Sequence, residues 1–303
     1  MKFAITGGTG FVGGALATTL SQAGHEVVSI SRRTGLDVQN KPGLVAAFQG
    51  CDAIAHCAGI NRELRGQRYR DVHIQGTQNV VDAAMEAGVR RIAMVSFLRA
   101  RPNCGSRYHE SKWAAEEIIR KSGLDYAILK AGVIYGKGDH MLDHLSRALF
   151  TFPVFGLVGF KAQPVRPTGV ADVAHILKAA LTETRLRNAT VAVVGPEEMS
   201  LGDAVQRVGS TLGKNPLYVR LPLAFHYALA WGLERTMKVP MVALAQVRIL
   251  SESLVEPFVG ETGVEELPPD LVPTQPFNTE SIRRGLPDPG GFGLRDLALT
   301  ACP

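Results

Sequence analysis

The stretch TGGTGFVG (residues 6–13) lies between a short apolar run and a segment with helical periodicity. Its glycines satisfy two spacings at once, GxGxxG from Gly8 and GxxGxxG from Gly7, and both patterns end at Gly13. Such glycines let the backbone turn sharply, approach a pyrophosphate and pack the next helix against the strand. A simple strand-to-helix turn would need fewer glycines, so the stretch predicts a dinucleotide-binding loop.

The helix that follows this loop supplies the other part of a phosphate site. Its first amide hydrogens have no partner within the helix, and its dipole presents a positive end to anions. The residues that we expect to contact the cofactor here are Gly7, Thr9, Gly10, Phe11, Val12 and Gly13.

Outward from the loop, short apolar runs alternate with longer segments of helical periodicity up to about residue 195. Strands joined by crossover helices produce this alternation, and runs that are apolar throughout fit strands buried on both faces. The sequence therefore predicts an α/β fold, a Rossmann-like doubly wound parallel sheet of about six to seven strands. The predicted strands are residues 3–6, 26–30, 53–57, 91–95, 126–129 and 190–194.

The pattern changes after Gly195, where helical segments at 200–212, 222–237 and 242–254 precede a tail rich in proline and glycine. Prolines exclude long helices and central strands from that tail. We predict two units that share one cleft. The nucleotide-binding domain comprises 1–135 and 168–195, and a smaller, mainly helical substrate-side lobe comprises 136–167 and 196–303.

The end of the second predicted strand reads Ser31-Arg32-Arg33 and carries no carboxylate. An acidic residue there would bind the ribose 2′-hydroxyl of NAD, whereas arginine makes bidentate contacts with a phosphate. Arg32 and Arg33 therefore predict a preference for NADP(H), although NAD(H) stays possible. The alternative is a solvated pair of surface charges.

Composition excludes several classes of protein. The chain has 303 residues, 46% of them hydrophobic, and a net charge of +5 spread over scattered clusters, which argues against a nucleic-acid partner. The N-terminus enters a strand at once, leaving no room for a signal peptide, and the cysteines show no CxxC pair, so we expect a cytoplasmic protein without a structural metal. The most apolar later stretch, 221–233, is too short to cross a bilayer.

Further motifs follow the glycine loop in a fixed order. Together they resemble the extended and atypical short-chain dehydrogenase/reductases, including NAD-dependent epimerase/dehydratase relatives. The segments near 170–174, 221–224 and 250–255 are similar to the group that contains the nucleotide-binding accessory subunit of respiratory complex I. The motifs are GLDV (35–38), AIAHCAGIN (53–61), GTQNVVDAAMEAGV (76–89), YHESK (108–112), ILKAGVIYGKGD (128–139) and RPTGVADVA (166–174).

The resemblance implies further cofactor contacts. Asp37 and Val38 correspond to the family's adenine-binding residues, and Cys57, Ala58 and Gly59 correspond to the loop that lines the adenosine ribose. The segment between Arg33 and Asp37 is too short for the helix and extra strand that many relatives insert there. We therefore expect the strand after the second one to be missing.

Tyr108 and Lys112 are spaced i,i+4, which places both side chains on one face of a helix. In the enzymes that the chain resembles, the lysine binds the nicotinamide ribose and lowers the pKa of the tyrosine, which then transfers a proton. The alternative is an exposed helical pair without a cofactor role.

The remaining catalytic position departs from the family. The family's polarising serine lies in a run of serines, whereas this chain reads Ser96-Phe97-Leu98, so Ser96 matches only its first position. Ser106 is a possible substitute. His73 stands where the family commonly has asparagine, and Lys130-Ala131 replaces Arg-Pro beside the nicotinamide.

Two other features have simple alternatives. His140 and His144 are spaced to hold a metal on a helix, but no third ligand is evident, so lining a pocket is the favoured role. The segment 222–237 contains Phe225, Tyr227 and Trp231 at helical spacing, which favours a core helix. Its flanking Arg220, Arg235 and Lys238 leave a peripheral membrane or quinone contact as the less favoured alternative.

These residues lead to one principal hypothesis, an NADP(H)-dependent oxidoreductase that acts on an unidentified carbonyl or alcohol. One alternative is a non-catalytic NAD(P)H-binding accessory or assembly factor, and a second is an NAD-dependent sugar-nucleotide epimerase or dehydratase. Relatives often pair through helices matching residues 75–87 and 106–122, so a homodimer is expected.

Overall fold

The computed structural model describes residues 1–63, 66–237, 240–258 and 263–293, so Lys238 lies outside the described residues. Thirteen strands occur in this part of the chain. They are β1 Lys2–Thr6, β2 Glu26–Ile30, β3 Ala53–His56, β4 Arg91–Phe97, β5 Asp125–Ala131, β6 Ile134–Tyr135, β7 Val154–Val158, β8 Pro164–Val165, β9 Thr168–Gly169, β10 Ala189–Val193, β11 Met199–Ser200, β12 Leu217–Leu221 and β13 Val264–Glu265.

Ten α-helices lie between these strands in the described residues. They are α1 Phe11–Gln22, α2 Lys41–Phe48, α3 Gly76–Glu86, α4 Arg107–Arg120, α5 His140–Thr151, α6 Val170–Thr182, α7 Leu201–Thr211, α8 Leu223–Thr236, α9 Leu244–Leu250 and α10 Thr279–Gly285. A π-helical segment, Arg70–Gln75, leads directly into α3.

Seven strands form the central sheet in the order β13-β10-β5-β4-β3-β1-β2. Every neighbouring pair in it is parallel. One face packs against α1 and α6 through residues such as Leu16 and Leu177, and the other packs against α2, α3 and α4 through residues such as Phe48 and Ile119. The predicted doubly wound parallel sheet is therefore confirmed.

The edge strand β2 explains how the adenine side of the sheet is built. Strand β2 pairs with β1, and a short 3-10 turn, Arg32–Thr34, leads from β2 toward α2. The chain then returns through α2 to β3 on the other side of β1. The strand expected to be missing beyond β2 does not occur in the described residues, so the groove at this edge is open.

The C-terminal part forms mainly helices, with a third apolar cluster that includes Tyr135, Leu142, Val208 and Phe277. Strand β13 returns to the central sheet beside β10. A segment assigned to the smaller lobe therefore completes the nucleotide-binding sheet, and the lobe boundaries stay a prediction.

Helix α8 contradicts one expectation from the sequence. Its buried residues are His226 and Ala230, whereas Phe225 is 46% exposed and Trp231 is 55% exposed. The prediction that these aromatic residues belong to the core is wrong, because α8 covers a small two-stranded sheet, β7 and β12, with one narrow face. No helix within the described ranges is long and apolar enough to span a membrane. The cytoplasmic location stays a prediction.

Candidate functional site

The glycine loop joins β1 to α1 at the carboxyl edge of the sheet. Gly7 has a φ of +71°, and a Cβ there would lie 2.7 Å from the amide nitrogen of Ala58. A Cβ at Gly13 would collide with the carbonyl oxygen of Gly7. Both positions therefore need glycine, because the loop, the neighbouring strand β3 and helix α1 approach each other at backbone distance.

The start of α1 is available to an anion. Gly10 is the N-cap residue, makes no side-chain cap, and is followed by no acidic residue in the first turn. The first amide groups of α1 therefore keep their donors for phosphate oxygens.

A cavity of about 990 Å³ runs along this edge of the sheet. It contains most of the predicted cofactor residues, namely Gly7, Thr9, Gly10, Phe11, Arg32, Arg33, Asp37, Val38, Ala58 and Gly59. Val12, Gly13, Cys57 and Lys112 are outside its lining. Gly13 supports the loop from inside the protein, where its backbone packs closely against Gly7. Burial raises the pKa of the Cys57 thiol to about 12, so that the thiol stays protonated.

At the end of β2, hydroxyl groups and arginines meet on the cavity wall. The Thr9 hydroxyl donates to Ser31 Oγ at 2.9 Å, and Ser31 caps the turn that carries the two arginines. Arg32 lies 3.9 Å from the Asp37 carboxylate, with most of its side chain exposed. The structure thus places a carboxylate beside the basic pair, although the end of β2 itself carries none. An exposed pair of this kind is weak and can exchange partners.

The adenine side of the cavity is tied to α3. Asn79 donates from Nδ2 to the carbonyl oxygen of Val38 at 3.0 Å. A Cβ at Gly76, the first residue of α3, would touch the Val38 side chain. Helix α3 therefore fixes the backbone of the loop that the resemblance assigns to adenine.

Lys112 lies beneath the ribose loop. Its ammonium donates to the carbonyl oxygen of Val95 at 3.0 Å, and a Cβ on Gly59 would lie 3.5 Å from its Nζ. The side chain is 8% exposed. Burial lowers the pKa of Lys112 to about 8, while the charge of Glu116 opposes this shift. Gly59 therefore lies between the Lys112 ammonium and the cavity.

Tyr108, one turn earlier on α4, is enclosed by other rings. It lies within 5.4–6.0 Å of the rings of Tyr69, Phe97, His73 and His109, and it is 7% exposed. Burial raises its pKa above the ordinary value of 10. Desolvation of the phenol sets the direction of this shift, and the lowering by Lys112 that the resemblance implies stays a prediction.

His73 connects the ribose loop to α4. The Ile60 amide donates to Nε2 of His73 at 3.0 Å, so the proton of the ring is on Nδ1. Nδ1 then donates to Ser111 Oγ at 2.8 Å, and this hydroxyl donates to the Tyr108 carbonyl. Burial, followed by the charge of Lys112, holds the pKa of His73 well below its ordinary value, so the imidazole is neutral.

His73 lies on the π-helical segment before α3. Such segments are common at functional sites. The sequence signal was the histidine at a position where the resembling family commonly has asparagine, but its partners required the tertiary structure.

Ser96 lies in the core and not at the cavity. Its hydroxyl donates to Glu116 Oε1, and both residues are buried. Glu116 also accepts from Arg120 at 2.9 Å and from Lys130 at 3.2 Å. Lys130 thus belongs to a buried ion pair, and the structure does not bring Ser96 to the cavity lining.

The possible substitute, Ser106, has its own partner. The Ser106 hydroxyl lies 2.6 Å from Nδ1 of His109 in a buried position at the start of α4. Burial lowers the pKa of His109 to about 4, so this ring is neutral. Its assignment as a substitute for the family's serine stays a prediction.

His140 lines the cavity, as the sequence analysis favoured, together with Lys137 and Gly138. His144 lies on the same helix with its ring centroid 6.2 Å from that of His140. In the parts of the chain that the structure describes, no group of three or more histidine, cysteine or acidic residues is placed to hold a metal.

The cavity also has lining residues that the sequence analysis did not identify. Gly66, Gln67 and Val72 come from the segment after the ribose loop, and Val170 and Ala171 come from the start of α6. The side-chain amide of Gln67 contacts the Arg32 guanidinium across the groove. These positions follow no local pattern, so only the folded arrangement identifies them.

Residues 7–148 match a protein family described as NAD(P)H-binding. This segment ends within α5 and includes the glycine loop, the basic pair, the ribose loop and the Tyr108–Lys112 helix. The chain therefore contains an NAD(P)-binding Rossmann domain.

Several curated proteins are similar in sequence. An uncharacterized protein of Mycobacterium tuberculosis is 26% identical over 259 residues, which are 82% of this chain and 27% of that protein. The mitochondrial 40 kDa subunit of NADH-ubiquinone oxidoreductase from Neurospora crassa is 20% identical over 73% of this chain and 58% of its own length. The ceramide reductase of Caulobacter vibrioides is 27% identical over 72% of this chain and 73% of its own length.

The chain thus spans about a quarter of the mycobacterial protein and somewhat more than half of the Neurospora subunit. Among solved structures, the UDP-glucuronic acid 4-epimerase of Bacillus cereus, in complex with UDP-glucuronic acid and NAD, is similar with a TM-score of 0.68. It covers 94% of this chain and 97% of its own at 17% identity, a likeness that establishes the fold.

Proposed function

We propose that this chain, with its NAD(P)-binding Rossmann domain, is an NADP(H)-dependent oxidoreductase acting on a carbonyl or alcohol substrate. The observation that carries the proposal is the position of Gly59. It lines the cofactor cavity, and it also approaches His73 and Lys112 closely. A dinucleotide bound at the glycine loop would therefore extend toward the helix that holds Lys112 and Tyr108.

Lys112 would hold the ribose next to the nicotinamide. An ammonium group has three donors, and the Val95 carbonyl uses one of them. The others would serve the ribose hydroxyls. Because burial lowers the pKa of Lys112 to about 8, contact with these hydroxyls would also offset part of the cost of burying its charge.

The cofactor, when bound, supplies or accepts the hydride. Tyr108 would hold the proton that the substrate oxygen receives. Because burial raises the pKa of Tyr108, its phenol is protonated at neutral pH and is suited to donate. Lys112 would then return a proton to the tyrosinate.

NADP(H) is the proposed cofactor because of the basic pair at the end of β2. Arg32 and Arg33 line the cavity beside the hydroxyls of Thr9 and Ser31. These groups together suit a 2′-phosphate. Asp37, 3.9 Å from Arg32, is the feature that would instead favour a free 2′-hydroxyl and NAD.

A second candidate is a non-catalytic NAD(P)H-binding accessory or assembly factor. The position of Ser96 favours this candidate. Its hydroxyl donates to Glu116 in the core, so Ser96 is not available to polarise a substrate carbonyl, as the family's serine does. The Neurospora relative is by name a subunit of NADH-ubiquinone oxidoreductase, which suits such a role. A sugar-nucleotide epimerase or dehydratase remains the third candidate, since the fold is shared with such enzymes.

The reaction is tested with Tyr108→Phe in an NADPH-oxidation assay over a panel of aldehydes, ketones and quinones. We expect the turnover of the wild-type protein to fall about a hundredfold or more, because the proton donor is lost. NADPH affinity should stay within about twofold. Tyr126→Phe, on β5, is the matched control. An unchanged rate in Tyr108→Phe would contradict the role of Tyr108.

If the wild-type protein binds NADPH but oxidises it with no member of the panel, the accessory-factor candidate is favoured. Calorimetric titration tests the cofactor choice separately. We expect NADPH to bind at least about tenfold more tightly than NADH, and Arg32→Ala to narrow the difference. Arg90→Ala, an exposed arginine away from the cavity, serves as control. Equal affinities in the wild-type protein would exclude the NADP preference.

The homodimer also stays a proposal. Its expected surface comprises α3 and α4, where Met85 is 57% exposed. Sedimentation of the purified protein would test it.

A further inference from the structure

Helix α8 carries an apolar surface that the rest of the protein does not cover. His226 and Ala230 mark its buried side. At 100° per residue, Phe225 and Trp231 point roughly 120° away from the buried side, one to each side of it, and Leu229 points roughly 80° away. These residues are 46%, 55% and 39% exposed, respectively. The helix thus presents its largest side chains to solvent.

The small sheet beneath α8 extends this surface. Phe160 is 71% exposed. It follows Gly159, where an added Cβ would lie 3.8 Å from the Leu223 side chain at the start of α8. At the other end, the paired residues Val154 and Leu217 are both exposed. Of the large hydrophobic residues that are exposed in the described ranges, eight of twelve lie in this region. We call Phe160, Leu223, Phe225, Leu229 and Trp231 the apolar face.

Basic residues predominate in the segments that carry this surface. Segments 152–166 and 214–236 contain one acidic residue, Glu234, and five basic ones, which are Lys161, Arg166, Lys214, Arg220 and Arg235. The Arg235 guanidinium stacks 3.8 Å from the Trp231 ring. A basic group held on an exposed tryptophan is typical of a surface at the headgroup level of a membrane.

We propose that the apolar face binds the surface of a bilayer containing anionic phospholipids, with α8 lying in the plane of the interface. The exposed apolar patch and its basic surroundings match the two components of such a surface, acyl chains and negative headgroups. Helix α8 has 14 residues, about 21 Å of helix, which suits lying on a bilayer rather than crossing it.

Near its C-terminal end, α8 is linked through Glu234 to the region of Tyr108. Glu234 accepts from the Leu244 amide at 2.9 Å and interacts electrostatically with Arg62 and Tyr69, and Tyr69 contacts the Tyr108 ring. Membrane binding through α8 would therefore bring the cleft near the headgroups. The inference goes beyond the proposed oxidoreductase function, and its test does not depend on turnover.

The test is flotation of the full-length protein with vesicles. One set contains phosphatidylcholine alone, and the other contains about one third phosphatidylglycerol. We expect the protein to float with the anionic vesicles, at least about tenfold more strongly than with neutral ones, and to be released by added salt. A protein that stays in the bottom fraction with anionic vesicles at low salt overturns the proposal.

Paired substitutions separate the apolar and electrostatic contributions. Phe225→Ser with Trp231→Ser should weaken binding about tenfold or more, whereas Val272→Ser, at another exposed apolar residue, should not. Lys161→Gln with Arg235→Gln should weaken binding to anionic vesicles, whereas Arg283→Gln with Arg284→Gln, on α10, should not. If both test pairs float like the wild-type protein, the apolar face is not the binding surface.

Thermal denaturation and NADPH titration accompany each variant. Because the substituted residues are exposed, we expect unchanged folding and cofactor affinity. Sedimentation tests whether a second copy of the chain, rather than a bilayer, covers the apolar face. If the wild-type protein does not float and the Phe225→Ser/Trp231→Ser variant dissociates from dimer to monomer, the face joins two copies of the chain and the bilayer proposal is wrong.

Discussion

The cofactor groove has two halves that are built differently. At the phosphate half, Gly7, Gly10 and the start of α1 offer backbone groups to an open cavity. At the other half, which we call the relay half after its proposed role, Lys112 and Tyr108 lie behind Gly59 among buried rings. The first half recognises its ligand mainly through the shape of the chain, and the second depends on side chains brought from separate elements.

The two kinds of construction should differ in how much sequence change they tolerate. Recognition of phosphate by backbone amides needs only glycines at a few positions, so a short sequence motif is enough to identify it. The proposed relay half instead depends on side-chain contacts between separate elements, such as those of His73 with the Ile60 amide and Ser111. We therefore expect the two halves to respond differently to substitution and to pH.

The largest effect is expected at the phosphate half from Gly13→Ala. The added Cβ would collide with the Gly7 carbonyl and displace the loop, so NADPH affinity should fall about a hundredfold or more. The control is Gly14→Ala in the same helix, where a Cβ would lie 3.7 Å from the Gly8 carbonyl oxygen and fits. Calorimetric titration measures both. Equal losses of NADPH affinity in the two variants would show that the close contact between Gly13 and Gly7 does not determine cofactor binding.

Buried neutral histidines beside both halves should make the fold sensitive to acid. His56 bridges Thr6 and Thr77, and burial lowers its pKa to about 3, with the charge of Lys112 adding to the effect. Below pH 6.5 the unfolded chain binds this proton and the folded chain does not, so the free energy of unfolding decreases as pH falls toward 3.

The contribution of His56 should be about 3 kcal/mol smaller at about pH 4.5 than at pH 7. Urea unfolding across this range measures it. His56→Asn should flatten the profile, whereas His175→Asn, at an exposed position, should leave it unchanged. The same acid slope in His56→Asn as in the wild-type protein would be evidence against a neutral His56 in the fold.

A smaller effect is expected from Lys112 above neutral pH. Its pKa is lowered to about 8 by burial, and ribose hydroxyls favour the protonated form, so NADPH affinity should weaken as pH rises through 8. We expect about a tenfold loss between about pH 7 and about pH 9.5. Lys112→Met should bind more weakly with a flat profile.

Adenosine 2′,5′-bisphosphate separates the two halves in the Lys112 experiment, because it occupies the phosphate half alone. Its affinity should stay constant over the range in which NADPH affinity falls. If both ligands weaken in parallel, the titrating group belongs to the phosphate half, and the contrast between the halves is incorrect.

The smallest effect is expected from Asp37→Asn. Removing the carboxylate 3.9 Å from Arg32 should free the guanidinium for a 2′-phosphate and raise NADPH affinity about threefold. NADH affinity is measured in the same titrations. If it falls instead while NADPH affinity is unchanged, Asp37 binds a ribose hydroxyl, and the basic pair does not decide cofactor choice.

The sequence predicted the part of the fold that depends on local chemistry. Alternating apolar runs and helical segments identified the parallel sheet, and the short link from Arg33 to Asp37 identified the missing strand. The pairing of β13 with β10 was not predictable, because a two-residue strand within a proline-rich tail has no periodicity. The exposure of Trp231 was missed because a helical apolar pattern does not reveal which face is covered.

The glycine loop, the basic pair and the helical spacing of Tyr108 and Lys112 could be identified from the sequence, since they are properties of residues close together in the chain. The tertiary structure alone decided how the side chains are engaged. It bound Ser96 to Glu116, placed Asp37 beside Arg32 and raised the pKa of Tyr108. Desolvation and pairing depend on which distant elements pack together, and that information is spread over the whole chain.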